Sequence, residues 1–253
     1  MKLGIIGAME QEVKTLQAAM EHPTVTTKAG MTFYEGSLRG TPAVVVQSGV
    51  GKVNAALCVQ CLCDLFSVTH ILNTGIAGAL SDQLRIGDLL ISTDAVQHDV
   101  DVTTFGYAPG QVPGQAESFV ADESLATLAQ QASEAVDPTR RVLRGRVVSG
   151  DQFISSREVK ERLVSEFHGD CAEMEGAAIA QGAVRNGLPF VVIRAISDQA
   201  DDSAHVDYPT FEAAAADHCA KVVRRLAALL KMETRRPAKG RRFLRRACFA
   251  PHP

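Results

Sequence analysis

The chain has 253 residues, 46% of them hydrophobic, which is enough for one large α/β domain with a sizeable buried core. Aromatic residues are 5% and Trp is absent, so the core must rest on Val, Ile, Leu and Ala. The net charge of −3 is uneven: residues 231–253 hold eight Lys/Arg against one acid, leaving 18 Lys/Arg against 28 Asp/Glu elsewhere, and an acidic body argues against nucleic acid as a partner.

In chain order, the apolar run Lys2–Ile6 predicts a first strand and Glu10–Met20 a helix. The first residues lack a charged leader and a long apolar region, so they read as that strand and not as a signal peptide. Met31–Leu38 and Ala43–Ser48 flank Arg39-Gly40-Thr41-Pro42 and predict a hairpin, which makes the sheet mixed. Lys52–Leu65 predicts a helix, His70–Thr74 and Asp88–Thr93 strands. Asp99–Ala121, with Gly106, Pro109, Gly110, Pro113 and Gly114, predicts a long functional loop. Beyond it the pattern gives helices at Glu123–Ala135, Arg157–Glu166, Met174–Asn186 and Tyr208–Leu230, with strands at Arg146–Ser149 and Phe190–Ala195. Near-continuous apolar strands between amphipathic helices imply a sheet covered on both faces. The domain is expected to span 1–230. Residues 231–253 are basic and lack apolar periodicity, so they are expected to form a disordered tail.

No apolar stretch of about 18 residues predicts a transmembrane helix. The six cysteines follow no disulfide spacing, so free thiols and a cytoplasmic location are expected. Cys58, Cys61 and Cys63 lie among Ala55, Leu57, Val59 and Leu62, which favours a buried helix over a metal site. His98-Asp99-x-Asp101 reads as a hydrogen-bonded loop anchor, again in preference to a metal site. Gly4-x-x-Gly7 is not a dinucleotide fingerprint, and Val46 and Val53 deny Gly51-Lys52 the residues of a phosphate loop. Neither a metal nor an organic cofactor is expected.

Polar residues gather where strands should end: Glu12 after the first, Asn73-Thr74-Gly75-Ile76-Ala77-Gly78 after the third, Arg194-Ala195-Ile196-Ser197-Asp198 at the last, with Glu173-Met174-Glu175 opening a helix. Ligands of open α/β sheets bind at the carboxyl ends of strands. Each acid alone could be a helix cap, but their recurrence at several strand ends points to a site.

Gly4-Ile5-Ile6-Gly7-Ala8-Met9-Glu10-x-Glu12, Ser48-Gly49-Val50-Gly51-Lys52-Val53, Asn73-Thr74-Gly75, His98-Asp99-Val100-Asp101-Val102-Thr103, Ser149-Gly150-Asp151-x-Phe153, Glu173-Met174-Glu175 and Val192-Ile193-Arg194-Ala195-Ile196-Ser197-Asp198 together resemble the 5′-methylthioadenosine/S-adenosylhomocysteine nucleosidases, in order, from residue 1 to about 230. The resemblance implies a three-layer α/β/α fold with a central mixed β-sheet, nucleoside phosphorylase-like. It also implies hydrolysis of adenine thionucleosides, in methionine salvage and recycling of S-adenosylmethionine by-products, by a homodimer with shared active sites. It assigns proton donation at adenine N7 to Asp198, the ribose hydroxyls to Glu175, water activation to Glu12 and a positioning role to Arg194. Phe153 would stack on adenine, with backbone beside Phe153 and Ile154 reading the base edge. Met174 would lie against the sugar, and Ile76, Gly78, Glu173 and Ser197 complete the expected binding set. Met9, Val50 and Tyr208 would wall the alkylthio end, while Val102, Phe105 and Pro113 would close the neighbouring subunit's site.

Two departures stand out: Ile76 where the family often has Ser, and Tyr208 where Phe is common. Rivals are aminodeoxyfutalosine hydrolysis, a phosphorylase of the same superfamily, and a non-catalytic purine-nucleoside binding module. A phosphorylase needs fixed cations for phosphate, and this chain has Asn73 and Ile76 where phosphorylases carry Arg and Ser. A binding module would not need Glu12, Glu175 and Asp198 together.

Overall fold

The computed structural model describes residues 1–235. Its strands are β1 (Leu3–Gly7), β2 (Glu21–Lys28), β3 (Met31–Leu38), β4 (Thr41–Gln47), β5 (His70–Ala79), β6 (Leu89–Gln97), β7 (Phe119–Val120), β8 (Val142–Ser149), β9 (Cys171–Glu173) and β10 (Phe190–Asp198). Its α-helices are α1 (Glu10–Ala18), α2 (Lys52–Phe66), α3 (Glu123–Val136), α4 (Arg157–Phe167), α5 (Gly176–Arg185) and α6 (Ala204–Arg235). The sheet runs β10-β6-β8-β9-β5-β1-β4-β3-β2, and β10 also pairs β5, so one half curls into a closed ring. Parallel pairs (β1–β4, β1–β5, β10–β5, β6–β8, β8–β9) coexist with antiparallel ones, so the sheet is mixed as expected.

The alternation of side chains along each strand sorts the core into two faces. Leu3 and Ile5 face Leu16, Leu125, Val222 and Leu226 of α1, α3 and α6. Ile6, Val44 and Ile71 face Val59, Leu62 and Ala180 of α2 and α5. The result is the three-layer arrangement. β1 and β10 are buried along their whole length, as their apolar runs require when helices cover both sides.

Departures from the expected elements have identifiable causes. β2 went unpredicted because Glu21–Lys28 is exposed throughout and lacks apolar alternation; it is an edge strand held by β3. The β3–β4 hairpin turns on Arg39 and Gly40, both at positive φ (52° and 72°), which suits the primed two-residue turn. Thr41 and Pro42, expected in the turn, already belong to β4. β5 and β10 continue through the polar residues expected to follow or close them, to Ala79 and Asp198. Their site residues therefore have strand geometry, not loop geometry. Lys231–Arg235 extend α6 past the expected domain end. The disordered tail expected from there on otherwise falls at 236–253, outside the described residues. Among the described residues no helix is long and apolar enough to cross a membrane.

Candidate active site

At the carboxyl ends of β1, β5 and β10 lies a cleft of about 110 Å³. Ala8, Met9, Glu12, Val50, Ile76, Ala77, Gly78, Phe153, Ala172, Glu173, Met174, Glu175, Ser197, Asp198 and Tyr208 line it. Of the strand-end residues singled out in the sequence, Glu12, Ile76, Ala77, Gly78, Glu173, Met174, Glu175, Ser197 and Asp198 line one cavity, whereas Asn73, Thr74, Gly75 and Arg194 do not.

Glu12 occupies the first turn of α1, where it also accepts the N–H of the N-cap residue Met9. It is 3% exposed. Its Oε2 accepts from Ala8 N–H (2.6 Å) and Met9 N–H (3.0 Å), its Oε1 from Ile76 N–H (3.0 Å). A carboxylate has about four lone-pair positions. Three are taken, and the one left on Oε1 can receive a proton. Burial raises the Glu12 pKa, against the opposing pull of the Arg194 guanidinium and those N–H groups. Ile76 serves this site through its backbone, so the family's Ser hydroxyl is not needed for that contact.

Arg194 is the largest fully buried side chain among the described residues, and it follows the apolar run Phe190–Ile193 of β10. Its Nη2 bonds Asn73 Oδ1 at 2.6 Å, pairs with Glu173, and lies 3.9 Å from Glu175 Oε2. Burial pulls its pKa down, but Glu173, Glu12 and Glu175 outweigh that and hold it up. Gly75 makes room for the cluster: a Cβ there would collide with Arg194 Nη1 and Glu12 Oε1.

Glu175 Oε1 accepts the N–H of Gly51 at 2.7 Å. Burial, then Glu173 beside it, pushes its pKa up to about 8, and Arg194 resists. One guanidinium thus serves a crowded set of carboxyl groups, whose titrations are coupled. Glu173 lines the cleft and is held from the protein side by several donors. Its Oε1 takes the Ser149 hydroxyl and Gly176 N–H (2.9 Å), and its Oε2 takes Glu175 N–H (3.1 Å), Gly176 N–H (2.8 Å) and Arg194.

Asp198 ends β10, 2% exposed. Its Oδ1 accepts Ala200 N–H (2.9 Å) and its Oδ2 the Ser197 hydroxyl (2.8 Å). Burial raises its pKa, with Asp207 and Asp201 adding to the shift and its two hydrogen bonds opposing it. Gly78 admits it, since a Cβ there would stand 2.7 Å from Asp198 Oδ1. The site therefore holds three buried carboxyl groups whose pKa values are raised: Asp198 on its own, and Glu12 and Glu175 in the field of the Arg194 guanidinium. That arrangement suits proton donation to a leaving group and stabilisation of positive charge.

The apolar wall is built by Met9, Val50, Met174, Phe153 and Tyr208. The Tyr208 hydroxyl reaches Met9 Sδ at 3.2 Å, and the Phe153 and Tyr208 rings meet edge-on at 5.5 Å. Ile154 is buried against Leu163 and Phe167 and does not line the cavity. Val102, Phe105 and Pro113 do not line it either; Phe105 is 79% exposed on its short 3₁₀ turn. Ala8, Ala77, Ala172 and the Arg194 partner Asn73 were not singled out as binding residues in the sequence, having no chemistry that marks them individually. The lining includes no Lys or Arg. Among the described residues no three His, Cys, Asp or Glu side chains converge as a metal site. Asp99 is a loop anchor, as expected from its motif, bonded to Lys52 Nζ at 2.6 Å and Asp151 N–H at 3.0 Å.

The sequence profile of the phosphorylase superfamily matches residues 2–229. A 5′-methylthioadenosine/S-adenosylhomocysteine nucleosidase from Geobacillus kaustophilus is 45% identical over 92% of this chain and 99% of its own. The crystal structure of the nucleosidase of that name from Colwellia psychrerythraea, in complex with adenine, superposes with a TM-score of 0.88 at 38% identity, covering 91% of this chain and 96% of that one. A futalosine hydrolase from Helicobacter pylori superposes with a TM-score of 0.84 at 35% identity, covering 89% and 96%.

Proposed function

Since the chain belongs to the phosphorylase superfamily, and within it to the 5′-methylthioadenosine/S-adenosylhomocysteine nucleosidases, we propose that its cleft binds an adenine thionucleoside and cuts the N-glycosidic bond with water, through Glu12, Glu175, Arg194 and Asp198. The enzyme is an N-glycosyl hydrolase that releases adenine and a thioribose, serving methionine salvage. The bond breaks when charge on the departing purine is neutralised, so the Asp198 proton goes to N7. Glu175 holds the ribose hydroxyls and offsets the positive charge growing on the ring, while Met174 packs on the sugar. A water held by Glu12 through the free lone pair of Oε1 attacks C1′, and Arg194 fixes the carboxylates. Phe153 stacks on the base. Met9, Val50 and Tyr208 take the alkylthio group.

The observation that carries this reading is a cleft lined by Glu12, Glu173, Glu175 and Asp198 with no cation facing it. A phosphate dianion would be repelled there, which favours water over phosphate. The test is adenine release from methylthioadenosine, S-adenosylhomocysteine and aminodeoxyfutalosine in parallel. The first two should turn over well; exclusive use of the third would transfer the chain to the futalosine reading, which the Helicobacter pylori structure keeps in view.

The reading includes a homodimer. Phe105, with Val102 and Pro113 on the same loop, stays outside its own subunit's cleft, and a two-fold partner would bury it. Burying a Phe is worth roughly 1.5–3 kcal/mol. Phe105→Ala should therefore raise KM for methylthioadenosine about tenfold or more, and change KM for adenosine, which lacks the thioether, much less. An equal effect on both substrates would remove Phe105 from the alkylthio site. A cytoplasmic location fits the five free thiols of the described residues. The catalytic domain of this reading is residues 1–230.

A further inference from the structure

We infer, resting on the function proposed above, that Asp151 is a positioning residue which ties the base side of the cleft to its ribose side. α2 begins after Gly51, which has no side chain to cap the first-turn N–H groups. Asp151 supplies the cap from elsewhere in the chain: its Oδ1 accepts Lys52 N–H at 2.8 Å. In the same turn Gly51 N–H holds Glu175 Oε1. Gly51 has φ +98°, and a Cβ on it would stand 3.0 Å from Asp151 Oδ1, so glycine lets the two segments close up.

Asp151 is itself clamped. Its N–H donates to Asp99 Oδ2 (3.0 Å), and Asp99 Oδ1 pairs with Lys52 Nζ (2.6 Å), which returns the circuit to α2. Lys52 Nζ also bonds Gln97 Oε1 at 2.9 Å. Two residues beyond Asp151 is Phe153, on the cleft wall. One carboxylate thus fixes both the turn that presents Gly51 N–H to Glu175 and the segment that presents Phe153 to the base. Asp151 does not line the cleft.

Both held groups contact substrate before the bond breaks, so their misplacement raises KM; the charge-offsetting part of the Glu175 role adds a smaller loss in kcat. Asp151→Ala should raise KM for methylthioadenosine about tenfold, the order a lost N-cap supplies, with kcat changed less than about threefold. Adenine affinity measured by calorimetry should weaken in parallel. Asp151→Asn keeps an Oδ1 acceptor and should stay within about twofold of wild type, because Asn and Asp cap helices equally well. Lys52→Met leaves the cap but removes the clamp on Asp99, so it should raise KM by a smaller factor; it carries the test if Asp151→Ala does not fold. Wild-type KM and adenine affinity in Asp151→Ala would overturn the inference. So would Asp151→Asn as impaired as Asp151→Ala, or an unchanged KM in Lys52→Met where Asp151→Ala does not fold. Adenine binding reads the positioning without turnover, so a wild type that binds adenine but does not release it from methylthioadenosine defeats the proposed function alone.

Discussion

Asp198→Asn should lower kcat/KM for methylthioadenosine by about 10²–10⁴-fold, the usual loss when a general acid is removed. The substitution is nearly silent for the fold. An Asn Oδ1 can still accept Ala200 N–H, and the Ser197 hydroxyl can rotate to accept from the amide where it now donates to Oδ2. The melting temperature should hardly move, so the rate loss reports chemistry. The pH profile adds a second check. Burial raises the Asp198 pKa, so the proton it donates persists above the ordinary carboxylate range and is lost as pH rises further. The wild-type alkaline limb of kcat/KM should contain that loss, and the variant should lack it. A variant within tenfold of wild type would remove Asp198 from the proton-donating role.

Glu12→Gln should also cost about 10²-fold or more, with a different signature. Three N–H groups point at the two Glu12 oxygens. An amide offers one oxygen and sets its own NH₂ against at least one of those donors. A buried donor left unsatisfied costs about 1–3 kcal/mol, so this variant should melt lower as well as turn over more slowly. The sign of its pH effect is opposite to that of Asp198: Glu12 must be ionised to take a proton, and burial raises its pKa. The acidic limb should therefore set in above the ordinary carboxylate range as pH falls. Glu12, Glu175 and Arg194 lie within one another's field, so that limb belongs to the group and not to one residue. Near-normal turnover in Glu12→Gln, whatever its stability, would end the water-activating role.

Much of this was legible in the chain because buried strands and catalytic acids have opposite chemistry. Arg194 and Asp198 stand out at the end of Phe190–Ile196 as charges that an apolar strand has no packing reason to keep. Glu12 could be read as the first-turn acid of a helix, and it is one; its second role appears only when β5 brings Ile76 N–H to its other oxygen. The cross-chain contacts were hidden. No local pattern says that Asp151 caps a helix 99 residues earlier or that Asn73 bonds Arg194. β2 was hidden for the opposite reason: an exposed edge strand needs no apolar alternation. The strand ends were misplaced because polar site residues resemble loop, whereas in a cleft they are buried and remain strand.

The nucleophile separates hydrolysis from phosphorolysis. Purified protein should be given methylthioadenosine in phosphate-free buffer and in the same buffer with phosphate, and the sugar product identified by mass. Adenine should appear at the same rate in both, accompanied by free methylthioribose and no sugar 1-phosphate, as expected of a cleft lined by four carboxyl groups and no cation. Adenine release that requires phosphate, with methylthioribose 1-phosphate as the product, would contradict it.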